Sequence, residues 1–163
     1  MQRIIVTGCT GSGKTTLARQ LAQRLRIPAI DLDDLHWGPN WTPVPLAEFR
    51  AKTDQASAQP AWAISGNYRI VRDLLWPRAD TLIWLDYALP LVFYRLMKRT
   101  ISRIITGELA CNGNRESLSA AFGKDSIILW LFKTYWRRKR DTPILLQQPE
   151  HTHLNVLRFQ SPR

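Results

Sequence analysis

The sequence predicts a three-layer α/β fold built on a parallel sheet, and three observations carry that reading. Short apolar, β-branched runs alternate with helical patterns along the chain. The run TLIWLD at 81–86 is almost continuously apolar, as a strand covered on both faces must be. A glycine-rich loop joins the first strand directly to an amphipathic helix, which is how a βα unit exposes helix amides to an anion. With 163 residues, 45% hydrophobic and 10% aromatic, the composition fits one domain, 1–163, with a real core. No repeat and no low-complexity linker divides it.

Each element follows from local pattern. Residues 3–7, RIIVT, form the first strand and stop at Gly8. In 14–26, KTTLARQLAQRLR, Leu17, Leu21 and Leu25 fall at helical spacing. A short second strand follows at 28–31. The stretch HWGPNWTPVP at 36–45 is too rich in Pro and Gly for regular structure and predicts an ordered loop anchored by Trp37 and Trp41. A helix over 46–59 leads through Pro60 to a third strand, AWAIS at 61–65, which ends at Gly66 and Asn67. Residues 69–76 predict a short helix closed by Pro77, ahead of the strand at 81–86.

A long helix over 89–105 puts Arg95, Arg99 and Arg103 at successive i, i+4 steps, so three guanidinium groups line one face. The polar segment TGELACNGNRESLS at 106–119 predicts a mobile connection to a helix over 120–140. LNVLRF at 154–159 reads as a fifth strand. Ser161 and Pro162 read as the cap and first position of a further helix, of which the chain carries only the beginning. Two excursions leave the sheet, at 32–60 and 104–125.

The charge balance narrows the partners. There are 23 Lys and Arg against 13 Asp and Glu, a net +10, and residues 95–140 hold eleven basic and three acidic residues. Such a field attracts phosphates, nucleic acid or an anionic membrane surface. Cys9 and Cys111 are the two cysteines, too few and too poorly spaced for a disulfide scaffold or a zinc site. The N-terminus lacks the pattern of a secretory signal. The apolar passages at 81–97 and 126–136 are interrupted by charge or too short to span a bilayer. The expectation is a cytoplasmic monomer or homodimer without a membrane partner.

Gly8-Cys9-Thr10-Gly11-Ser12-Gly13-Lys14-Thr15 satisfies GxxxxGK[ST] between a strand and a helix. The glycines let backbone amides turn inward around phosphate oxygens. Lys14 is placed to reach the β- and γ-phosphates, the Thr15 hydroxyl to ligate Mg²⁺, and Thr16 to support the α-phosphate.

The second strand ends in Asp31-Leu32-Asp33-Asp34, beside that loop. Asp31 or Asp33 can hold the magnesium shell or accept a hydroxyl proton; the other reading is an acidic helix cap. Asp86, closing the fourth strand, competes with Asp31 as the magnesium carboxylate, and sequence leaves the two open. His36, Trp37 and Trp41 suit a pocket that stacks on an acceptor, or else they anchor the loop. Arg72, after Gly66-Asn67-Tyr68, either binds an acceptor phosphate in bidentate fashion or pairs with Asp73. Arg95, Arg99 and Arg103, with Arg137 and Arg138, can surround a moving phosphoryl group when the intervening segment closes; otherwise they form a solvated face. The run 137–140 equally fits nucleic acid phosphates.

The segments GCTGSGKTTLARQLAQRL, IDLDDLHWGPNW and WAISGNYRIVRDLLWPRADTLIWLD, followed by the arginine helix, resemble the bacterial DNA topology modulation proteins of FlaR type. These are similar to adenylate kinase and shikimate kinase within the P-loop kinases. The resemblance implies a five-stranded parallel sheet in the order 2-3-1-4-5, a nucleoside-monophosphate-like acceptor region at 32–60, a lid near 104–125, and a small-molecule kinase using ATP and Mg²⁺. Asp31 and Asp33 resemble the acceptor-binding carboxylates of shikimate kinase, and Gly66 and Asn67 fall where such kinases hold the acceptor with backbone groups. Related proteins often carry Asp before GNY, whereas this chain has Ser65, which shifts the carboxylate roles toward Asp31 and Asp33.

The expected catalytic set is therefore Lys14, Asp33, Arg95, Arg99, Arg103 and Arg137, with the nucleotide held by residues 8–16. The acceptor set is Asp31, Asp33, His36, Trp37, Gly66, Asn67 and Arg72, and the metal pair is Thr15 and Asp31. The competing reading is a nucleotide-switched nucleic-acid-binding regulator with ATPase activity. Site chemistry weighs toward the kinase.

Overall fold

Strands β1 (Arg3–Gly8), β2 (Ala29–Asp31), β3 (Trp62–Ser65), β4 (Thr81–Leu85) and β5 (Asn155–Phe159) form one parallel sheet in the order β2-β3-β1-β4-β5. This is a computed structural model, and it describes residues 1–116, 123 and 126–162. The register aligns Asp31 with Ser65 and Gly8 with Leu85. The phosphate loop, the acidic cluster and the Gly66-Asn67 turn thus leave the sheet at one edge, where α/β sheets bind ligands.

Side chains alternate across the sheet, and both faces are covered. Ile4, Val6, Ile83 and Leu85 pack against Ala18 and Ala22 of α1 (Lys14–Leu25), Val92 and Leu96 of α5 (Leu89–Thr106), and Leu131 and Tyr135 of α6 (Ile127–Leu146). Ile5, Ile64, Leu82 and Trp84 face Leu32 of α2 (Leu32–His36), Phe49 of α3 (Leu46–Ser57) and Leu75 of α4 (Arg72–Leu75). This two-sided burial accounts for the nearly unbroken apolar character of β1 and β4.

Four elements differ from the sequence expectation. Helix α2 begins directly after β2, because the Asp31 carboxylate accepts the Asp33 amide at 3.1 Å and caps it. The helix expected over 69–76 is a 3₁₀ turn at Arg69–Val71, the single turn of α4, and a 3₁₀ turn at Trp76–Arg78. Pro77 sits in the first turn of that last piece, where its missing amide costs nothing.

Helix α6 runs past Arg140 to Leu146 with Pro143 inside it. The lost backbone bond is offset by Leu145 and Leu146, which pack against the second core. The expected start of α6 near residue 120 lies outside the described residues. Ser161 lies in a bend and Pro162 has no helical structure, so neither begins a helix among the described residues.

Candidate active site

Two features leave the first turn of α1 available to an anion: its N-terminus has no side-chain cap and its first turn no acidic residue. The loop before it packs tightly on α5. Gly11 has φ +79, and an added Cβ would overlap the Val92 carbonyl. Lys14 Nζ donates to the Cys9 carbonyl at 3.0 Å, folded back over its own loop. Burial pushes the Lys14 ammonium down to about 8, against the opposing pull of Asp33. Burial likewise raises the Cys9 thiol, and nearby Arg138 and Lys14 work in the other direction.

The two carboxylates left open by the sequence have different surroundings. Thr15 Oγ1 donates to Asp31 Oδ2 at 2.7 Å. Asp86 is buried and accepts from Arg158 Nε at 3.0 Å, with Lys139 Nζ at 3.7 Å. Asp31 therefore touches the loop threonine while also capping α2, and Asp86 is held in an ion-pair cluster. A hydroxyl and a carboxylate are the oxygen donors that Mg²⁺ prefers. Among the described residues no group of three His, Cys, Asp or Glu side chains forms a metal cage, so these two residues fit a cation that also draws on phosphate oxygens and water.

Asp33 lies across the cleft from the loop and accepts the Tyr68 hydroxyl at 2.5 Å. Burial, then Asp33 itself, raises the Tyr68 phenol and keeps it protonated as a donor. His36 is enclosed by aromatic rings, with centroids 4.8 Å from Trp37, 4.9 Å from Phe49 and 4.7 Å from Tyr68. Burial lowers its pKa, opposed by Asp33. This ring braces the wall that carries Tyr68 and Asp33. Gly66 takes φ +147, and a Cβ there would meet Leu32 Cβ at 2.7 Å. Its close approach to α2 brings Asn67 into the same cleft.

The two excursions are joined to each other. Asn112 Nδ2 donates to the carbonyls of Asp34, at 2.6 Å, and Trp37, at 2.5 Å. Asn114 Nδ2 donates to Gly38 O at 2.9 Å, and its Oδ1 accepts the Trp41 amide at 2.9 Å. The Trp41 indole donates to Arg115 O at 3.1 Å. The expected mobile connection is therefore docked over 109–115, because two asparagine side chains satisfy backbone groups of the opposite loop. Residues 117–122, 124 and 125, also within the expected lid, lie outside the described residues.

The arginines divide into four situations. Arg95 Nη1 donates to Ser12 O at 3.4 Å and its guanidinium lies 5.4 Å from the Tyr87 ring centre, so it touches the phosphate loop. Arg103 and Arg99 converge on Glu116, at 2.8 and 3.8 Å. Burial holds Arg99 below the usual guanidinium value, partly countered by Glu116. Arg138 is half-buried and lowered by burial, with Cys9 opposing, whereas Arg137 is exposed. Arg72 stacks 4.9 Å over Trp76. Asp73 is taken by Arg50 at 2.6 Å, so among the described residues no carboxylate pairs with Arg72.

Sequence reasoning gave no role to Tyr68, Asn112, Asn114 and Glu116, and it named Arg138 among the cations around the phosphoryl group but took Arg137 into the catalytic set. Tyr68 stands in the GNY triplet and Arg138 beside the chosen Arg137, but neither carries a directional signal. The asparagines look like ordinary turn residues until the opposite loop is seen.

A family model for shikimate kinase matches residues 10–38, the stretch that holds Lys14, Thr15, Asp31 and Asp33. A shikimate kinase of Rhodopirellula baltica is 53% identical over 34 residues, 21% of this chain and 18% of that protein. The match thus spans less than one-fifth of the relative's length. A shikimate kinase structure from Bacteroides thetaiotaomicron superposes with a TM-score of 0.55 at 17% identity, covering 98% of this chain and 86% of that one. A gluconokinase structure from Sinorhizobium meliloti gives 0.52 at 18% identity, with 99% and 84% covered. The fold is that of the P-loop kinases. Within this P-loop kinase fold, the short stretch of strong sequence similarity coincides with the loop and with the carboxylates facing it.

Proposed function

We propose that the chain, as one unit over 1–163, is a kinase that transfers the γ-phosphoryl group of ATP to a hydroxyl of a small acceptor. The single observation that carries this reading is the Thr15–Asp31 hydrogen bond beneath the phosphate loop, with Asp33 across the same cleft. The similarity to shikimate kinase over residues 10–38 supports it.

The residues divide the work as follows. Loop amides of residues 8–13 and the N-terminus of α1 hold the β- and γ-phosphates, and Thr16 supports the α-phosphate. Lys14 leaves the Cys9 carbonyl and bridges the phosphates. Thr15 and Asp31 would hold Mg²⁺, whose chemistry there is to neutralise charge on the phosphate oxygens. Asp33 takes the proton of the acceptor hydroxyl, whose oxygen bonds to the γ-phosphorus as the bond from that phosphorus to the β,γ-bridging oxygen breaks and ADP departs. Arg95 and Arg99, with Arg138 or Arg137, stabilise the charge that spreads over the moving group, and Arg103 orients Glu116 and Arg99. The joined loops 34–42 and 109–115 exclude water, which would otherwise compete as acceptor.

The acceptor is bounded by Asp33, Trp37, Gly66, Asn67 and Arg72, with His36 behind them. Arg72, stacked on Trp76 without a carboxylate partner among the described residues, favours an acceptor that carries its own anionic group. A hydroxylated carboxylic acid answers that description, and so does a nucleoside monophosphate. The nucleic-acid alternative draws on net charge and on the resemblance to topology modulation proteins; Arg95, Arg99 and Arg138 lie on the cleft instead.

The test is ADP release with ATP and magnesium across hydroxy acids, sugar acids, nucleosides and nucleoside monophosphates. Stimulation by one acceptor, lost in Asp33→Asn, is the expected result. ATP binding without stimulation by any acceptor overturns the kinase reading.

A further inference from the structure

We propose that the outer face of α5 and α6 is a docking surface for an anionic lipid bilayer. On α6, Leu129, Phe132, Lys133, Trp136 and Arg140 are exposed on the outer side, Trp130 and Arg137 line the cleft, and Leu131, Thr134 and Tyr135 are buried against the sheet. On α5, Tyr94, Lys98, Ile101 and Ile105 form one exposed line at helical spacing. Phe93 and Phe132, 5.7 Å apart, close the seam between the two helices. Ile105 is 77% exposed, Trp136 65% and Tyr94 63%. Large apolar side chains gathered on one face mark an interaction surface, whereas scattered ones do not.

Charge selects the occupant. The cations on this face are Lys98, Lys133 and Arg140. Arg140 pairs with Asp141 at 2.8 Å, and the other two have no carboxylate within pairing distance among the described residues. A second copy packed face to face would set these cations against their own images. A nucleic acid duplex would satisfy the cations but leave Ile105, Tyr94 and Trp136 against a polar backbone. An anionic bilayer takes both: phosphate headgroups meet the cations, and the aromatic and aliphatic tips enter the headgroup–acyl boundary, where Trp and Tyr partition well. No helix among the described residues is long and apolar enough to cross a membrane, so the helices lie on the surface. This adds a lipid partner that the absence of a spanning segment had argued against. Trp130 and Arg137 line the cleft and are not part of the docking face, so the inference is independent of the kinase reading: the remaining residues have no role in phosphoryl transfer.

The experiment is sedimentation of the full chain with phosphatidylcholine vesicles, with and without phosphatidylglycerol. Binding is expected to the anionic vesicles alone. Lys98→Glu with Lys133→Glu should weaken it at least about 25-fold, since each cation at such a surface is worth about fivefold. Ile105→Ser with Trp136→Ser should weaken it about tenfold or more for each side chain removed. Thermal unfolding of each variant verifies its fold, and Tyr94→Ser repeats the apolar arm should the double variant unfold. No sedimentation with anionic vesicles overturns the proposal. Binding that survives removal of the apolar side chains overturns it in favour of simple attraction by a basic protein. Duplex DNA binding or self-association that is lost in the same apolar variant, without vesicle binding, assigns the face to those partners instead.

Discussion

Thr15 and Asp31 meet through a 2.7 Å hydrogen bond although they lie on different elements, the first turn of α1 and the end of β2. The contact ties the anion-binding helix to the strand end that begins the acceptor wall. Asp31 uses its second oxygen to cap α2, so one carboxylate fixes both the phosphate side and the acceptor side of the cleft.

That double use makes Asp31→Asn informative. Asparagine caps a helix about as well as aspartate, so the unfolding midpoint should change little. The charge that serves the cation is lost, and turnover should fall about 10- to 100-fold, as for residues that orient a bound metal and its ligands. The check is thermal unfolding beside a magnesium titration of ADP release; a wild-type magnesium dependence removes Asp31 from that role.

Lys14 gives a pH prediction with a defined sign. Burial sets the free protein's Lys14 near about 8, and bound phosphates would restore the ammonium. Above that pH, nucleotide binding must take up a proton, so affinity should fall by up to about tenfold per further pH unit. Calorimetry in two buffers of different ionisation heat measures the uptake, which should vanish in Lys14→Met. The unfolded chain binds the extra proton between about 8 and 10.5, so this group makes the free protein more stable, not less, as pH rises through that window.

What could be read in advance follows from the range of each signal. The loop motif and the apolar runs are local, and they specify the β1–α1 unit and the strands without reference to the rest of the chain. The docking of Asn112 and Asn114 onto the loop at 34–42 crosses more than 70 residues, and no periodicity records it. Helix α6 passes through Pro143 because distant core residues receive Leu145 and Leu146, which a local breaker rule cannot anticipate. Asp31 and Asp86 look alike as strand-end acids; only the partners Thr15 and Arg158 separate them.

Arg137 and Arg138 offer a paired comparison. Arg138 is half-buried beside Cys9 and the phosphate loop, and Arg137 is exposed. Removing a cation aimed at a transferring phosphoryl group costs about 10²-fold or more in turnover. Arg138→Ala should therefore lower kcat by that order, and Arg137→Ala by less than about threefold, as expected of a solvated charge. Single-turnover measurement of phosphoryl transfer checks both, and the reverse ranking returns the role to Arg137.

Asn114 is the last position where geometry makes a sharp demand. The residue is 4% exposed, and its side chain donates to the Gly38 carbonyl and accepts the Trp41 amide. Asn114→Ala strands both backbone groups, and an unsatisfied polar group at a buried site costs about 1–3 kcal/mol. That cost falls on the contact between the two loops, not on the sheet, so the loops should separate before the core unfolds. Amides over 34–42 should exchange faster while those of β1 and β4 keep their protection. In a transfer assay the KM for the acceptor should rise more than that for ATP, because Trp41, whose ring packs 5.9 Å from that of Trp37, loses its anchor while the phosphate loop does not. Uniformly faster exchange, with β1 and β4 included, would instead make Asn114 a determinant of global stability and detach the joined loops from acceptor binding.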